Sequence, residues 1–432
     1  MAADSDVIVN FSQVVAAFGG KENALDMTTT PAGPGQDDLA FAAFMGQAMA
    51  SLEEAQTLPG VMSSPDDNAG ALLQAYLAEY CVNEERIVPG FNGMLEVQFD
   101  DRDFWGWIRS AGWPAIKERL NVANRYPKPP WARDRTELKA GARIALFGDW
   151  GTNLYGAPAI RVQVQNDPIG FDAIVHLGDV YYAGRSDEVK QRMLNVWPEV
   201  NGATNRACNS NHEMYSGGRP YFTDTLPTFG QSSSTFVLES PNWLVVGLDT
   251  AYTDGTVSDD QASWLGSVLA GKDDRGVVLL SHHPLFSHHK TASAALQAQF
   301  SKFLETRTID AWYWGHEHLH AVYERDERWG VHGRCVGHGG YPYFRKDFAS
   351  APSEVLSDGL EWRTVPSSAD RTTPAARFLD GPNPFVEDDP GRYGPHGFLT
   401  LELQADCIFE SSYTAAGDVV SNNEVHRARH GN

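Results

Sequence analysis

Histidine is missing from the first 175 residues, cysteine occurs only four times and never as a C-x-x-C pair, and positive charge is scarce. No stretch approaches ~20 consecutive apolar residues, so the sequence offers no helix that could span a bilayer. Scattered thiols (Cys81, Cys208, Cys335, Cys407) do not suggest a disulfide framework, and fit a reducing cytoplasm. Lys and Arg number 34 against 56 Asp and Glu, a formal net charge of -22. A field of that sign repels phosphate backbones and anionic lipid, which argues against nucleic-acid and membrane partners. A small anionic substrate then needs cations held locally. The first residues, Met1-Ala-Ala-Asp-Ser-Asp, lack a basic stretch followed by an apolar run, and the reading is a cytoplasmic protein.

What is present is a chain of 432 residues, 42% hydrophobic and 11% aromatic, long enough for a large core and an accessory region. Residues 1–138 read as mostly helical. Apolar residues recur at helical spacing over Asp37–Glu54 and again over Ala69–Tyr80, and an aromatic-rich helical stretch follows from Phe104 to Asn124. The proline-rich run Tyr126–Trp131 is a natural connector. Beyond it the pattern changes. Short apolar runs (142–147, 171–177, 235–238, 243–248, 276–280, 309–314, 331–336) alternate with amphipathic segments (157–165, 187–197, 258–269, 291–304). That alternation predicts a layered α/β domain over 139–345. Residues 347–393 read as loop, rich in Pro, Ser, Asp and Gly. His396–Leu403 and Cys407–Tyr413 read as a hairpin adding edge strands, so that 346–432 completes the core. The end from Ser421 is expected to fray.

Chemistry concentrates at the strand ends. Half of the 14 histidines fall between 282 and 320. Three alternate in Gly315-His-Glu-His-Leu-His320, a spacing that places their rings on one face if the segment is extended. Upstream, strand-like runs close on Gly148-Asp149-Trp150-Gly151, Gly178-Asp179-Val180-Tyr181-Tyr182, Ser210-Asn211-His212-Glu213 and Ser281-His282-His283-Pro284. A single Gly-Asp after a strand is more often a turn than a ligand, and a lone His pair is more often core. Five such ends in order, supplying carboxylate, carboxylate with phenol, amide and imidazoles, point instead to a metal site on loops held by a sheet. Hard oxygen donors with imidazoles suit iron, manganese or zinc.

This ordered set, GDWG, GDVYY, SNHE, SHHP and GHEH, resembles the calcineurin-like metallophosphoesterases. It is most similar to their purple acid phosphatase branch, which has glycine where Gly151 stands and tyrosine where Tyr182 stands. Val336-Gly-His-Gly-Gly340 resembles the family's closing strand. The resemblance covers about 140–345. It implies a four-layer fold, a two-sheet β-sandwich flanked by helices, here with a helical amino-terminal extension. It further implies two metal ions: a first held by Asp149, Asp179, Tyr182 and His318, and a second held by Asp179, Asn211, His282 and His316. A phenolate ligand favours Fe³⁺ in the first site, with Fe²⁺, Zn²⁺ or Mn²⁺ in the second. His283 is expected to point away. His212 is the implied acid at the leaving oxygen, oriented by Glu213. His288, His289 and Asn153 are candidate substrate contacts, and His320 and Tyr155 candidate outer supports of the ligands. Ser210 departs from the family's glycine, and would strain the loop if that position needs a positive φ.

The activity implied is hydrolysis of a phosphate ester by a metal-bound hydroxide, most simply a monoester, as in an acid phosphatase. The alternatives are a phosphodiesterase acting on small cyclic or lipid-derived diesters and, in another class, a non-catalytic metal-binding scaffold.

Overall fold

The computed structural model describes residues 7–17, 36–55, 61–63, 65–83, 87–89, 95–97, 108, 112–121, 125–127, 134–289, 293–345, 349–386 and 390–427. Its described residues form two compact units, one of 127–179, 193–211 and 221–432, the other of 1–126, 180–192 and 212–220.

The larger unit is a sandwich of two sheets. The first has six strands in the order β19-β18-β17-β5-β6-β7. Here β5 (Arg143–Phe147), β6 (Ala173–His176) and β7 (Thr204–Ala207) run parallel, while β17 (Gly397–Leu403), β18 (Cys407–Thr414) and β19 (Val419–His426) continue antiparallel. The second has ten, in the order β14-β15-β16-β12-β13-β11-β10-β9-β8-β4. Its middle is β9 (Trp243–Gly247), β10 (Gly276–Ser281) and β11 (Ala311–Trp314), paired in parallel, with β13 (His332–Val336) parallel to β11. Around it lie β4 (Arg135–Glu137), β8 (Phe236–Glu239), β12 (His320–Tyr323), β14 (Ser353–Val355), β15 (Glu361–Val365) and β16 (Ala376–Asp380).

Strands with continuous apolar runs are the ones buried on both faces, as parallel strands between layers must be. Every residue of β9, β10 and β11 is buried. Ile144, Leu146 and Val175 from one sheet meet Val245, Val278, Leu280 and Tyr313 from the other in a single core. The outer face of the ten-stranded sheet is closed by Asp259–Ala270 and Ser293–Glu305, through Leu265, Val268, Leu296 and Phe300. Ser258 starts the former helix by accepting from the Gln261 N–H, with Asp259 and Asp260 at the positive end of the dipole.

All seven expected apolar runs are strands and all four expected helices are present, with ends moved by a few residues. Two expectations fail. Residues 347–393 contain β14, β15 and β16, an antiparallel extension and not a loop. The end from Ser421 is not frayed, because β19 is hydrogen-bonded along β18 as far as His426. The hairpin is there, but β17 is internal, pairing with β5 on its other side.

The smaller unit holds α1 (Phe11–Ala17), α2 (Gln36–Glu54), α3 (Asn68–Asn83), α4 (Trp113–Leu120) and a sheet of order β1-β3-β2, formed by Val7–Ile8, Leu95–Val97 and Ile87–Pro89. Helix α3 is buried on nearly every side, not on one stripe. Trp113 packs on Phe41 and Phe44 with ring centroids 5.3 and 5.5 Å away, so it is a packing residue. The expected stretch Phe104–Asn124 lies outside the described residues except at 108 and 112–121, where α4 falls. Segments 180–192 and 212–220, expected in the catalytic core, cluster instead with the amino-terminal helices. Arg185 illustrates why: its guanidinium donates to Glu79 Oε2 at 2.7 Å and lies 4.4 Å from the Tyr76 ring.

Candidate metal centre

Five parallel strands of the sandwich release their chains at their carboxyl ends into the motif loops. Asp149 follows β5, Asp179 follows β6, Asn211 follows β7, His282 follows β10, and His316 and His318 follow β11. The carboxyl ends of parallel strands are where such sheets collect functional groups.

The six converge in two overlapping groups. Ligand atoms of Asp149, Asp179 and His318 lie within 4.8 Å of one another, as do those of Asp179, His282 and His316. Asp179 belongs to both. His318 Nε2 is 3.4 Å from Asp149 Oδ1, and His282 Nε2 is 3.3 Å from Asp179 Oδ1. His282 Nε2 also stands 2.8 Å from Asn211 Oδ1 and 3.1 Å from His316 Nδ1.

The donor set fits a cation. His282 Nδ1 is 2.9 Å from the Leu177 carbonyl, which can only accept, so Nδ1 carries the proton and Nε2 turns a lone pair inward. That lone pair faces a carboxylate oxygen, an amide oxygen and an imidazole nitrogen. Electron-pair donors crowded this closely repel unless a positive charge lies among them, and fixing an imidazole through its far nitrogen is how metal sites set the tautomer. Asp149 is oriented in the same way: the His316 backbone N–H donates to its Oδ2 at 2.8 Å, which leaves Oδ1 toward His318.

Assembling these atoms distorts the backbone. Asp149, Asp179, His316 and His318 all have left-handed φ values, 56°, 77°, 72° and 53°. Non-glycine residues seldom sit there, and such outliers gather at functional sites. Two glycines make room: a Cβ on Gly178 would lie 2.6 Å from His282 Nδ1, and one on Gly315 would lie 2.6 Å from Asp149 Oδ2. Ser210, by contrast, is not left-handed, so serine there brings no strain.

The alternation in GHEHLH therefore does not act as an extended strand. His316 and His318 reach the centre through left-handed turns, and His320 begins β12 and belongs elsewhere. His320 Nδ1 is 2.9 Å from the Cys335 carbonyl and Nε2 2.9 Å from Ser412 Oγ, and the ring stacks on His338 at 4.7 Å. Burial pushes its pKa down to about 4. It is a neutral core histidine.

His283 does not point away. Its ring centroid is 4.8 Å from that of His316 and 5.1 Å from that of His282. Its backbone N–H donates to Thr250 Oγ1 at 3.2 Å, and the same oxygen is 2.9 Å from its Nδ1. The Thr250 hydroxyl is wholly buried. The one hydroxyl thus ties both the backbone and the ring of His283. The doublet in Ser281-His282-His283-Pro284 marked His283, but nothing in the sequence marked Thr250 as its partner. Glu317, the middle residue of GHEH, accepts from Trp314 Nε1 at 3.1 Å and Ser287 Oγ at 2.5 Å, and so ties the turn to the sheet.

Of the weaker candidates, His288 donates from Nε2 to the Pro374 carbonyl at 2.8 Å and stacks on Tyr323, while His289 is exposed. Asn153 and Tyr155 are half-buried in the turn after β5, with φ values of 55° each.

Tyr182 and His212 fold with the smaller unit. His212 Nδ1 is 2.6 Å from the Tyr182 carbonyl, and its ring lies 4.6 Å from Tyr181 and 4.8 Å from Tyr215. Its expected orienting residue, Glu213, is buried beside it, with its Cα facing Gly184. The Tyr182 Oη accepts from the Val9 N–H at 2.8 Å. Burial pushes its pKa up to about 12, so the group is a neutral phenol.

Residues 142–320 match the calcineurin-like phosphoesterase family model. No curated protein matches the sequence. Among solved structures the chain is similar to a purple acid phosphatase from yellow lupin seeds, at 16% identity and TM-score 0.47, over 67% of this chain and 54% of that one. It is also similar to a dimetal phosphatase from Danio rerio, at 14% identity and TM-score 0.42, over 67% of this chain and 100% of the other. A third likeness is to GAP50, the anchor in the inner membrane complex of Plasmodium, at 13% identity and TM-score 0.46, over 67% and 89%. At these scores the likenesses decide nothing about this chain's chemistry. No helix among the described residues is long and apolar enough to cross a membrane.

Proposed function

We propose that this protein is a binuclear metal-dependent phosphoester hydrolase, acting on small phosphate monoesters. The observation that carries this reading is the sharing of Asp179 between two three-residue groups of metal-capable atoms. Two ions held there would supply the charge that holds phosphoryl oxygens and activates an attacking water.

The residues divide the work. Asp149, Asp179 and His318 would hold the first ion, and Asp179, Asn211, His282 and His316 the second. Leu177 O, through His282 Nδ1, and the His316 N–H, through Asp149, keep the ligands aimed before substrate arrives. Such preorganisation spares the reaction the cost of turning dipoles as charge develops. His212, next in the chain after Asn211, serves as proton donor to the leaving oxygen. Its Nδ1 is committed to the Tyr182 carbonyl, so the transferable proton is on Nε2.

Oxygen donors with imidazole select iron, manganese or zinc over calcium or copper. Local cations also offset the formal charge of -22 for an anionic ester. Preference for monoesters rests on the motif resemblance alone.

Metal analysis with a pair of esters tests the whole reading. Purified protein is expected to carry two ions and to cleave p-nitrophenyl phosphate faster than bis-(p-nitrophenyl) phosphate. The opposite order makes it a diesterase. Bound metal with neither ester cleaved favours the scaffold alternative.

A further inference from the structure

Tyr182 stands where the resemblance places a metal-bound phenolate, and its surroundings are those of a structural hydroxyl. The Val9 N–H donates to Oη at 2.8 Å. The remaining oxygens around Oη are the Val9 and Val7 carbonyls, at 3.4 and 3.5 Å. The Arg192 guanidinium lies 4.8 Å from the ring, with Nη1 donating to the Tyr181 carbonyl at 2.6 Å. Among the described residues, every hydrogen-bond partner that the Oη finds is in residues 7–9 or is Arg192.

The arrangement has a clear physical use. Val7, Ile8 and Val9 are buried to within 1% of their surface. Val9 stands one residue past the end of β1, so its amide lacks a ladder partner there. A buried backbone amide must be paired or it costs stability. Two side chains meet that need: Tyr182 Oη takes the Val9 N–H, and Gln74 Nε2 donates to the Val9 carbonyl at 2.9 Å. Gln74 in turn is braced by the Ser63 carbonyl at 2.7 Å.

We propose that Tyr182 ligates neither metal and instead fastens the amino-terminal segment 7–9 to the chain that follows Asp179, so that the metal centre is free of phenolate and takes divalent ions in both sites. Without Tyr182 the first site offers Asp149, Asp179 and His318. That set has no donor that singles out a trivalent ion, so the ferric assignment implied by the resemblance loses its basis. The metal half of this inference rests on the proposed function; the fastening half does not.

Two measurements test it. The first needs no substitution: protein loaded with iron and oxidised in air should show no tyrosinate-to-iron charge-transfer band in the visible. The second follows Val9 amide hydrogen exchange in Tyr182→Phe. Loss of the hydroxyl is expected to speed that exchange by about tenfold or more and to lower the thermal midpoint by several degrees, with two ions still bound. A visible band in the iron-loaded protein that Tyr182→Phe abolishes overturns the proposal, and so does loss of an ion in that variant. Unchanged Val9 exchange overturns the fastening role. If the unsubstituted protein binds no metal and cleaves no ester while Val9 exchange still quickens in the variant, the phosphoesterase reading fails and the fastening role stands.

Discussion

The two units draw on the same motifs and put them to different uses. In the sandwich, residues from four other motifs converge on Asp179, and two of the ligands, His282 and Asp149, are held by backbone groups at the sheet ends. In the helical unit, Tyr182 comes from one of those motifs, yet its hydroxyl accepts from the Val9 N–H and its ring lies 4.8 Å from the Arg192 guanidinium. A motif position therefore specifies chemistry only when the strand preceding it fixes the side chain's direction. Three residues after Asp179 the chain has left the sandwich and answers to the helices it packs with.

The sharpest way to break this comparison is at the residue both metal groups share. Asp179→Asn should cost both ions and reduce ester hydrolysis to background, read by metal analysis and initial rates. Retention of a full pair of ions would mean that the bridging assignment is wrong. Asn211→Ala is graded below it. Asn211 touches the second group, through His282 Nε2, so about one ion should remain and activity should fall by a smaller factor. Loss of both ions from that variant would erase the division of the centre into two sites.

The fold was legible wherever burial on both faces left a continuous apolar run, as in Gly276–Ser281 and Ala311–Trp314. It was illegible in β14, whose three residues are all exposed, and in β15, where Trp362 alone is buried. Strands of that kind take their conformation from neighbours, here β16, and leave no period in the sequence. The ligand identities were legible because carboxylate, amide and imidazole recur at strand ends. Their geometry was not. Alternation in GHEHLH suggested one face of a strand, but His316 and His318 are left-handed and His320 faces the core, because β11 ends before them and β12 begins after. Nothing in six residues announces a positive φ on histidine. The direction of His283 was illegible for a similar reason: its partner Thr250 lies 33 residues away.

Histidines the centre does not use give a third contrast, of intermediate size. His320, His338 and His396 are buried, and His338 has no hydrogen bond from either ring nitrogen among the described residues. Burial pushes His320 and His396 down to about 4, and His338 well below its ordinary 6.5. Above pH 6.5 these rings are neutral folded or unfolded, and contribute nothing to pH dependence. Below it the unfolded chain takes protons that the buried rings refuse until about pH 4, so stability falls across that window. Each ring contributes about 1.4 kcal/mol per pH unit. The thermal midpoint should hold steady above pH 6.5 and drop steeply toward 4, and His338→Phe should flatten the drop. A midpoint that rises on acidification would contradict the neutral assignment, and would suit an enzyme working in acid better than this core does.

The smallest expected effect discriminates most finely between the two units. Thr250→Val removes the hydroxyl that receives the His283 N–H and pairs with its Nδ1, so two buried polar atoms lose their partner. Stability should fall by about 1–3 kcal/mol, and Thr250→Ser should restore most of it. Because the His283 ring lies against His282 and His316, the freed imidazole can turn or change tautomer beside the second ion. A modest fall in kcat at nearly constant KM, with both ions retained, is the expected signature. Tyr182→Phe removes a single hydroxyl in the same way, but in the helical unit, and should alter stability without touching the metals. If the two variants behave alike in metal content and in kcat, the division of labour between the units is wrong. If only Thr250→Val reaches the chemistry, the sandwich alone carries the second-metal site, and its hydroxyl supports serve catalysis where those of the helical unit serve folding.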